Sequence, residues 1–423
     1  MSSKECFVYI TLPGDTSFVT AAKFELTTGT RGVATGRFVY GRRYLERPDA
    51  LSIDPLELEL SDKTFTTTRL NGVFGALRDA SPDFWGRRVI EKRSGKTQLG
   101  EMDYLLFSPD DRAGALGFGL NPEPPAPLRK FNQTMDLAQL QELADAIIAD
   151  EELPQGAEAE QAQDLMLAGT SMGGARPKAV VEDGHGLWIA KFNRPDDKWN
   201  HARVERAMLE LGRECSLHTA ESKLTTIGDR DALLVKRFDR EKTEEGYRRA
   251  RMLSALTLLR AEDRAEEREK WSYVLLAEEL RRISSQAKAD AAELFRRMCF
   301  NALISNSDDH PRNHAVIAMD QDWKLSPAYD LTPSPQISDE HRDLALECGD
   351  LGRYANATNL MSQSARFLLK PEEAQAIIEE MEQTVKNRWY EIARREGVDD
   401  KDCEKISRAF VYPGFNLQPP AAT

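Results

Sequence analysis

Cysteine is scarce and dispersed: five in 423 residues (Cys6, Cys215, Cys299, Cys348, Cys403), with no Cys-x-x-Cys pair and no Cys/His cluster. That spacing excludes a disulfide scaffold and a thiolate zinc site, and it suits free thiols in a reducing cytoplasm. Long apolar runs are missing too. No stretch approaches 18 apolar residues, so none reads as a membrane helix. The start, Met1-Ser2-Ser3-Lys4-Glu5-Cys6, lacks the charged and apolar regions of a signal peptide. Positive charge is in deficit, with 57 Lys and Arg against 70 Asp and Glu, a net charge of -13. Bulk, non-specific nucleic-acid binding needs a basic surface and is disfavoured, while a local basic patch or a DNA-binding partner stays open. What the chain does have is 41% hydrophobic and 30% charged residues, an ordinary globular balance. Its length allows two or three domains.

The first stretch reads as β-rich. Residues 7–12, 21–26 and 35–40 are strand candidates separated by Gly-containing turns. Asp79-Ala80-Ser81-Pro82 reads as a helix start, with Pro82 at the first helical position. The run Asn121-Pro122-Glu123-Pro124-Pro125-Ala126-Pro127 marks a domain boundary, because proline removes donors and favours extended chain. Beyond it come an amphipathic helix (residues 137–147) and a hairpin, 178–182 and 187–192 about the turn Asp183-Gly184-His185-Gly186. A helix over 203–215 and a strand over 231–238 follow. From about residue 250 the pattern is helical, with helices over 252–259, 273–283, 289–304 and 371–396. The charge run 262–270 reads as a solvated loop or helix end, and the Pro-rich end from 413 as a frayed tail.

The strongest chemical signal is Asn306-Ser307-Asp308-Asp309-His310-Pro311-Arg312-Asn313. Asp308 and Asn313 stand five apart, the spacing of a kinase catalytic loop, in which the Asp is the base and the Asn a metal ligand. A hydroxyl nucleophile must lose its proton to a carboxylate, and a second oxygen donor must hold Mg²⁺ against the phosphates. Seventeen residues after Asn313, Leu325-Ser326-Pro327-Ala328-Tyr329-Asp330 ends in a lone acid, where a kinase has its main magnesium ligand. Upstream, Thr170-Ser171-Met172-Gly173-Gly174-Ala175-Arg176-Pro177-Lys178 is a small-residue loop whose amides can approach phosphate oxygens. Lys191, on the second strand of the hairpin, stands where a kinase holds its phosphate lysine, and Glu205 on the next helix is a candidate partner for it.

Together these segments resemble the HipA family, serine/threonine kinases that act as toxins of bacterial toxin–antitoxin pairs. Asp110-Asp111-Arg112-Ala113-Gly114-Ala115-Leu116 and Ser81-Pro82-Asp83-Phe84-Trp85-Gly86-Arg87-Arg88 resemble markers of its N-terminal module, and Val235-Lys236-Arg237-Phe238-Asp239-Arg240 resembles its hinge. The resemblance implies Asp308 as base, Asn313 and Asp330 as Mg²⁺ ligands, and Lys191 as the nucleotide-phosphate lysine. It implies ATP contacts from Ser171, Met172, Gly173, Gly174 and Ala175, from Lys236 and Phe238, and from Asp330. Ser171 falls where the family autophosphorylates, and Thr170 beside it offers a second hydroxyl. Arg176-Pro177 departs from the pair seen in some members. The resemblance further implies a substrate among translation enzymes, aminoacyl-tRNA synthetases in particular, and a helix-turn-helix antitoxin of the HipB type that carries the DNA contact. Whether the protein is a dimer is left open.

Plainer readings stand beside these. Asp308 is also what a turn or helix cap would carry. His310 can orient the loop rather than move a proton, Lys191 can be a strand-edge lysine, and Glu205 can make exposed ion pairs with its Arg neighbours. Ser171 can simply cap its loop. The expected architecture is α+β: a bilobal protein-kinase-like fold with an N-terminal β-rich module (residues 1–127), a small lobe (128–239), an all-helical C-terminal lobe (240–412) and a flexible tail (413–423). The expected protein is a cytoplasmic, ATP- and Mg²⁺-dependent kinase that makes no membrane contact. A small-molecule kinase, or a non-catalytic ATP sensor in a repressor complex, are the alternatives.

Overall fold

The computed structural model describes residues 2–29, 32–96, 99–126, 131–133, 137–151, 174, 176–335 and 338–417. The chain divides into two compact units. The first comprises residues 1–195, 226–253 and 317–323, and the second residues 196–225, 254–316 and 324–423. Among the described residues no helix is long and apolar enough to cross a membrane.

Among the described residues unit one holds a five-stranded sheet, most of a second, and the two-stranded pair Arg240–Thr243 with Gly246–Arg249 inside the region expected as helical. In the first, β1 (Ser2–Thr11), β2 (Phe18–Thr28), β3 (Ala34–Tyr40), β4 (Phe65–Thr67) and β5 (Leu116–Gly119) run in the order β4-β3-β2-β1-β5. Val8, Ile10, Phe24 and Phe38 are buried on this sheet, and in β1 Tyr9 and Thr11 between and beside them are buried as well, so that strand is covered on both faces. The second sheet contains β6 (Asn132–Gln133), β7 (Lys178–Asp183), β8 (Gly186–Phe192), β9 (Ser222–Ile227) and β10 (Arg230–Lys236), ordered β6-β7-β8-β10-β9. The expected hairpin is present, its turn closed by the His185 amide donating to Asp183 Oδ1 at 2.8 Å.

The expected boundary at 127 does not separate two cores. Trp85 and Val89 of the Phe84–Ser94 helix share one apolar cluster with Leu140, Ala144 and Ile147 and with Val181, Trp188 and Leu234 of the second sheet. Trp85 Nε1 donates to the Lys178 carbonyl at 3.1 Å. The helix itself starts two residues later than Pro82 suggests, because Asp83 is the cap and accepts from the Gly86 amide.

A buried ionic cluster joins the Asp110–Leu116 motif to the Val235–Arg240 segment. Arg237, with no exposed side-chain surface, bonds Asp111 Oδ1 and grips Asp239 with Nε and Nη2 at 3.0 and 2.9 Å. Arg240 Nη1 reaches Asp239 Oδ2 at 2.8 Å, and the Gly114 amide donates to the same oxygen at 2.9 Å. Burial opposes ionisation of Asp239, but Arg237 and Arg240 outweigh it and hold the carboxyl below its usual range. For Arg240, burial and the neighbouring Arg237 together bring the guanidinium down to about 9.

Unit two is mainly helical. His201–Glu214, Tyr273–Ile283, Ala287–Leu303 and Pro371–Arg395 fall close to their expected bounds. The helix expected over 252–259 is instead the strand Arg251–Ser254 followed by one turn, Ala255–Leu258, where Ser254 caps the Thr257 amide. Short strands, Ala315–Ala318 and Lys324–Leu325, interrupt the helical region. The charge run forms a 3₁₀ segment, Ala265–Lys270. Residues 413–417, expected as flexible tail, are packed: Pro413–Asn416 makes a 3₁₀ turn with Phe415 fully buried, and Asn356 Nδ2 donates to the carbonyls of Gly414 and Leu417 at 3.0 and 2.8 Å. The apolar aromatic and the two carbonyl acceptors outweigh the proline signal.

Two outcomes follow for unit one. Replacing Arg237 by Met leaves Asp111 and Asp239 buried without their main cation. A loss of about 3–5 kcal/mol is expected in chemical denaturation. Asp54 is buried, accepts from the Leu56 and Glu57 amides, and is pushed up to about 6 by burial. Its folded pKa exceeds the unfolded one, so the stability it confers is present at acid pH and lost as pH rises through about 6. Asp54→Asn keeps the acceptor and is expected to raise the melting temperature at pH 8 but not at pH 4.

Candidate functional site

Five of the expected phosphate-loop residues, Thr170, Ser171, Met172, Gly173 and Ala175, lie outside the described residues. Gly174 is described and has φ of +91°, and a Cβ there would come within 2.7 Å of Lys178 Nζ. The positive φ favours glycine here, and the lysine tip lies close to the space a side chain would fill. Lys178 begins β7 and is 5% exposed. In the β7–β8 register Lys178 stands directly opposite Lys191, which in turn pairs with Leu233 of β10. Directly paired residues share a sheet face, so two ammonium-bearing side chains leave one face beside Gly174.

The sequence reading kept Lys191 as a site residue and passed over Lys178 as the end of the loop. The signal was available: counting back through the hairpin turn from Lys191 lands on Lys178. Lys236 ends β10 with its Nζ 5.8 Å from the Trp188 ring centroid. Lys236 and Phe238 are half-buried, and Arg237 between them is buried. The hinge candidates are thus the two residues that flank Arg237, the centre of the ionic cluster. Glu205 lies in unit two and is buried, so the exposed ion-pair reading does not describe it.

Unit two carries Asp308, His310, Asn313 and Asp330. The helix Ala287–Leu303 ends in a Schellman arrangement: Ser305 takes φ of 53°, its amide reaches Ala302 O at 3.2 Å, and the Asn306 amide reaches Asn301 O at 2.8 Å. The chain then turns tightly. The His310 amide donates to Asp308 O at 2.8 Å and the Asn313 amide to His310 O at 2.7 Å. Pro311 opens the 3₁₀ turn Pro311–Asn313, for which His310 is the cap. This places Asp308 at the exposed tip of the loop, while Asp309 beside it is buried.

His310 has both ring nitrogens engaged. Nδ1 accepts from the Arg312 amide at 3.1 Å, so Nε2 carries the proton toward Asp263 Oδ1 at 2.9 Å. The ring also meets Trp271 edge-on, with centroids 4.4 Å apart. That is the geometry of an orienting residue. Asp308, in contrast, has an exposed carboxyl whose pKa is raised, first by partial burial and next by the Asp330 carboxylate, with His310 opposing. A carboxyl raised toward working pH suits a base.

Asp330 takes the left-handed conformation, φ of 61°, which Asp tolerates better than most residues. The strand leg before it is pinned. The Leu325 amide donates to buried Asp290 at 2.8 Å, Arg297 Nη2 donates to Ser326 O at 2.5 Å, and the Ala328 amide donates to His218 O at 2.7 Å. Tyr329 OH donates to Arg312 O at 2.7 Å and ties this leg to the Asp308 loop. Asn313 Nδ2 turns to the Asp308 carbonyl at 3.5 Å, which leaves its Oδ1 as an oxygen donor.

Among the described residues no group of three or more His, Cys, Asp or Glu is arranged to hold a metal ion by itself. A site of one carboxylate and one amide oxygen fits Mg²⁺, which takes few protein ligands and completes its shell with water and phosphate.

A family model for the HipA-like C-terminal domain matches residues 170–389, just over half of the chain. A Haemophilus influenzae protein named "Putative kinase" is 26% identical over 189 residues, 40% of this chain and 55% of that protein. A Sinorhizobium fredii protein, "Putative kinase Y4mE", is 31% identical over 70 residues, 16% of this chain and 17% of its own length. The chain thus matches about half the length of the first of these curated relatives and less of the second. Among solved structures, Shewanella oneidensis HipA, determined with HipB and operator DNA, aligns with a TM-score of 0.67 at 16% identity, over 94% of this chain and 95% of that one. That likeness extends through the N-terminal β-rich region, which the family model does not reach.

Proposed function

The chain belongs to the HipA family, and we propose that it is an ATP- and Mg²⁺-dependent protein serine/threonine kinase, the toxin of a bacterial toxin–antitoxin pair. The observation that carries this reading is Asp308: an exposed carboxyl at a loop tip, raised in pKa by partial burial and Asp330, with Asn313 five residues on. In this reading Asp308 accepts the proton of a Ser or Thr hydroxyl as it attacks the γ-phosphate. Asn313 and Asp330 hold Mg²⁺, which neutralises charge on the phosphate oxygens. Lys191 contacts the nucleotide phosphates, and its strand partner Lys178 joins it. The loop 171–175 surrounds the phosphates with its amides, and backbone groups of Lys236 and Phe238 hold the base. His310 orients the loop through Asp263 and moves no proton.

The regulatory and partner proposals rest on the family. Ser171, or Thr170 beside it, receives phosphate from the enzyme itself, and a new charge of about −2 there repels ATP. The substrate is a translation enzyme such as an aminoacyl-tRNA synthetase. The partner is a HipB-type helix-turn-helix antitoxin. The Shewanella protein, solved with HipB and operator DNA, supports that choice, and a net charge of -13 suits a protein that meets DNA through its partner.

Intact-mass and peptide mapping before and after Mg-ATP test the reading. Phosphate is expected on the peptide containing Thr170 and Ser171. Asp308→Ala is expected to lower its appearance by about 10²–10⁴-fold, and His310→Ala by less than about tenfold. An unmodified protein that turns over ATP with cell metabolites would point to a small-molecule kinase. ATP binding without turnover would point to a sensor.

A further inference from the structure

Behind the Asp308 loop the buried polar groups form one continuous chain. Asn306 Nδ2 donates to Asn301 Oδ1 at 3.0 Å, and Asn301 Nδ2 donates to the Tyr273 hydroxyl at 3.1 Å. Tyr273 OH donates to Asp309 Oδ2, and the same oxygen accepts from His314 Nε2 at 2.7 Å. No member is more than 3% exposed. His314 Nδ1 has no hydrogen-bond partner, which places the ring proton on Nε2, toward the carboxylate. Tyr273 and Asn301 belong to two helices, Tyr273–Ile283 and Ala287–Leu303. Asn306 and His314 bracket the loop that carries Asp308 and Asn313. The chain of bonds therefore fastens both ends of the loop, and its middle, to the helical core.

Asp309 follows Asp308 directly, with one carboxyl buried and the other exposed. Anchoring the first fixes the backbone orientation of the second. Apolar packing at this place would hold the helices together at lower desolvation cost. The buried carboxylate adds one acceptor that takes two donors, Tyr273 and His314, and so one register for the loop.

We propose that Asp309, with Tyr273 and His314 as its donors, is a positioning residue that sets Asp308 and Asn313 for phosphoryl transfer; this rests on the kinase reading above. Asp309 itself touches neither nucleotide nor acceptor.

Two substitutions separate this role from simple packing. Asp309→Asn retains an acceptor oxygen for both donors. Asp309→Leu strands them without one. The full-length chain is assayed for phosphate transfer from Mg-ATP at varied ATP, and hydrogen exchange is followed in the peptide covering 304–316. Asp309→Leu is expected to lower the maximal rate about 10²-fold, with half-saturating ATP unchanged within about twofold. Asp309→Asn should stay within about fivefold of the parent rate. Exchange in 304–316 should rise in the Leu variant while other peptides keep their protection. A folded Leu variant with the parent rate overturns the proposal. Equal losses in Asn and Leu, or unchanged exchange, do the same. Should the Leu variant not fold, Tyr273→Phe removes one donor and is expected to cost about tenfold in the same assay; a parent rate there counts against the proposal. A parent protein that transfers no phosphate defeats the kinase reading, and the exchange measurement then still decides whether Asp309 holds the loop.

Discussion

Arg237 is enclosed by Asp111, Asp239 and the carbonyl of Arg112, with no exposed side-chain surface. A guanidinium in that position is tolerable only if every partner is in place, because an unpaired buried charge is far costlier than the pair is favourable. The constraint runs in both directions along the chain. It holds residues 111–114 against residues 237–240, and it fixes the backbone between Lys236 and Phe238, the two residues expected to meet a nucleotide base. The N-terminal module is thereby a structural neighbour of the hinge segment within unit one. Trp85 and its cluster add the apolar half of that attachment.

Unit two solves a similar problem differently. In the proposed kinase, the chemistry would depend on a loop of eight residues that presents one carboxyl to solvent. A Schellman turn at Ser305, the Pro311 turn and the Asp309 contacts leave that loop little freedom. Asp330 approaches from a separate leg, braced by Asp290 and Arg297 on the Ala287–Leu303 helix and by Tyr329 on Arg312. Partial burial first, and the Asp330 carboxylate second, raise the pKa of Asp308. Preorganisation of this kind matters for phosphoryl transfer, where positioning and charge stabilisation account for most of the catalysis.

Much of this was legible in order and spacing. The Asp308–Asn313 interval, the later Asp330, and the Gly174–Lys178 loop before the Lys191 strand are local patterns, and the hairpin register follows from its turn. The amphipathic helices over 201–214 and 371–395 announce themselves by period. The errors share a cause. Residues 252–259 have helical spacing but supply a strand first, because pairing with distant chain decides the backbone there. Pro413 reads as a tail, yet Phe415 finds a cavity and Asn356 finds the carbonyls. For Glu205 the exposed ion-pair alternative is the one that fails, because tertiary packing buries the residue.

Spacing along the chain was enough to point to the family, the longer helices and the residue types of the candidate site. Tertiary structure alone decided which of two adjacent acids faces solvent. It also decided that His310 is tied at both nitrogens, and that Lys178 stands opposite Lys191. These depend on burial and on partners far away in the chain, such as Tyr273 for Asp309 and Asp263 for His310. No local pattern encodes a contact across 36 or 47 residues; it exists only once the chain has folded around it.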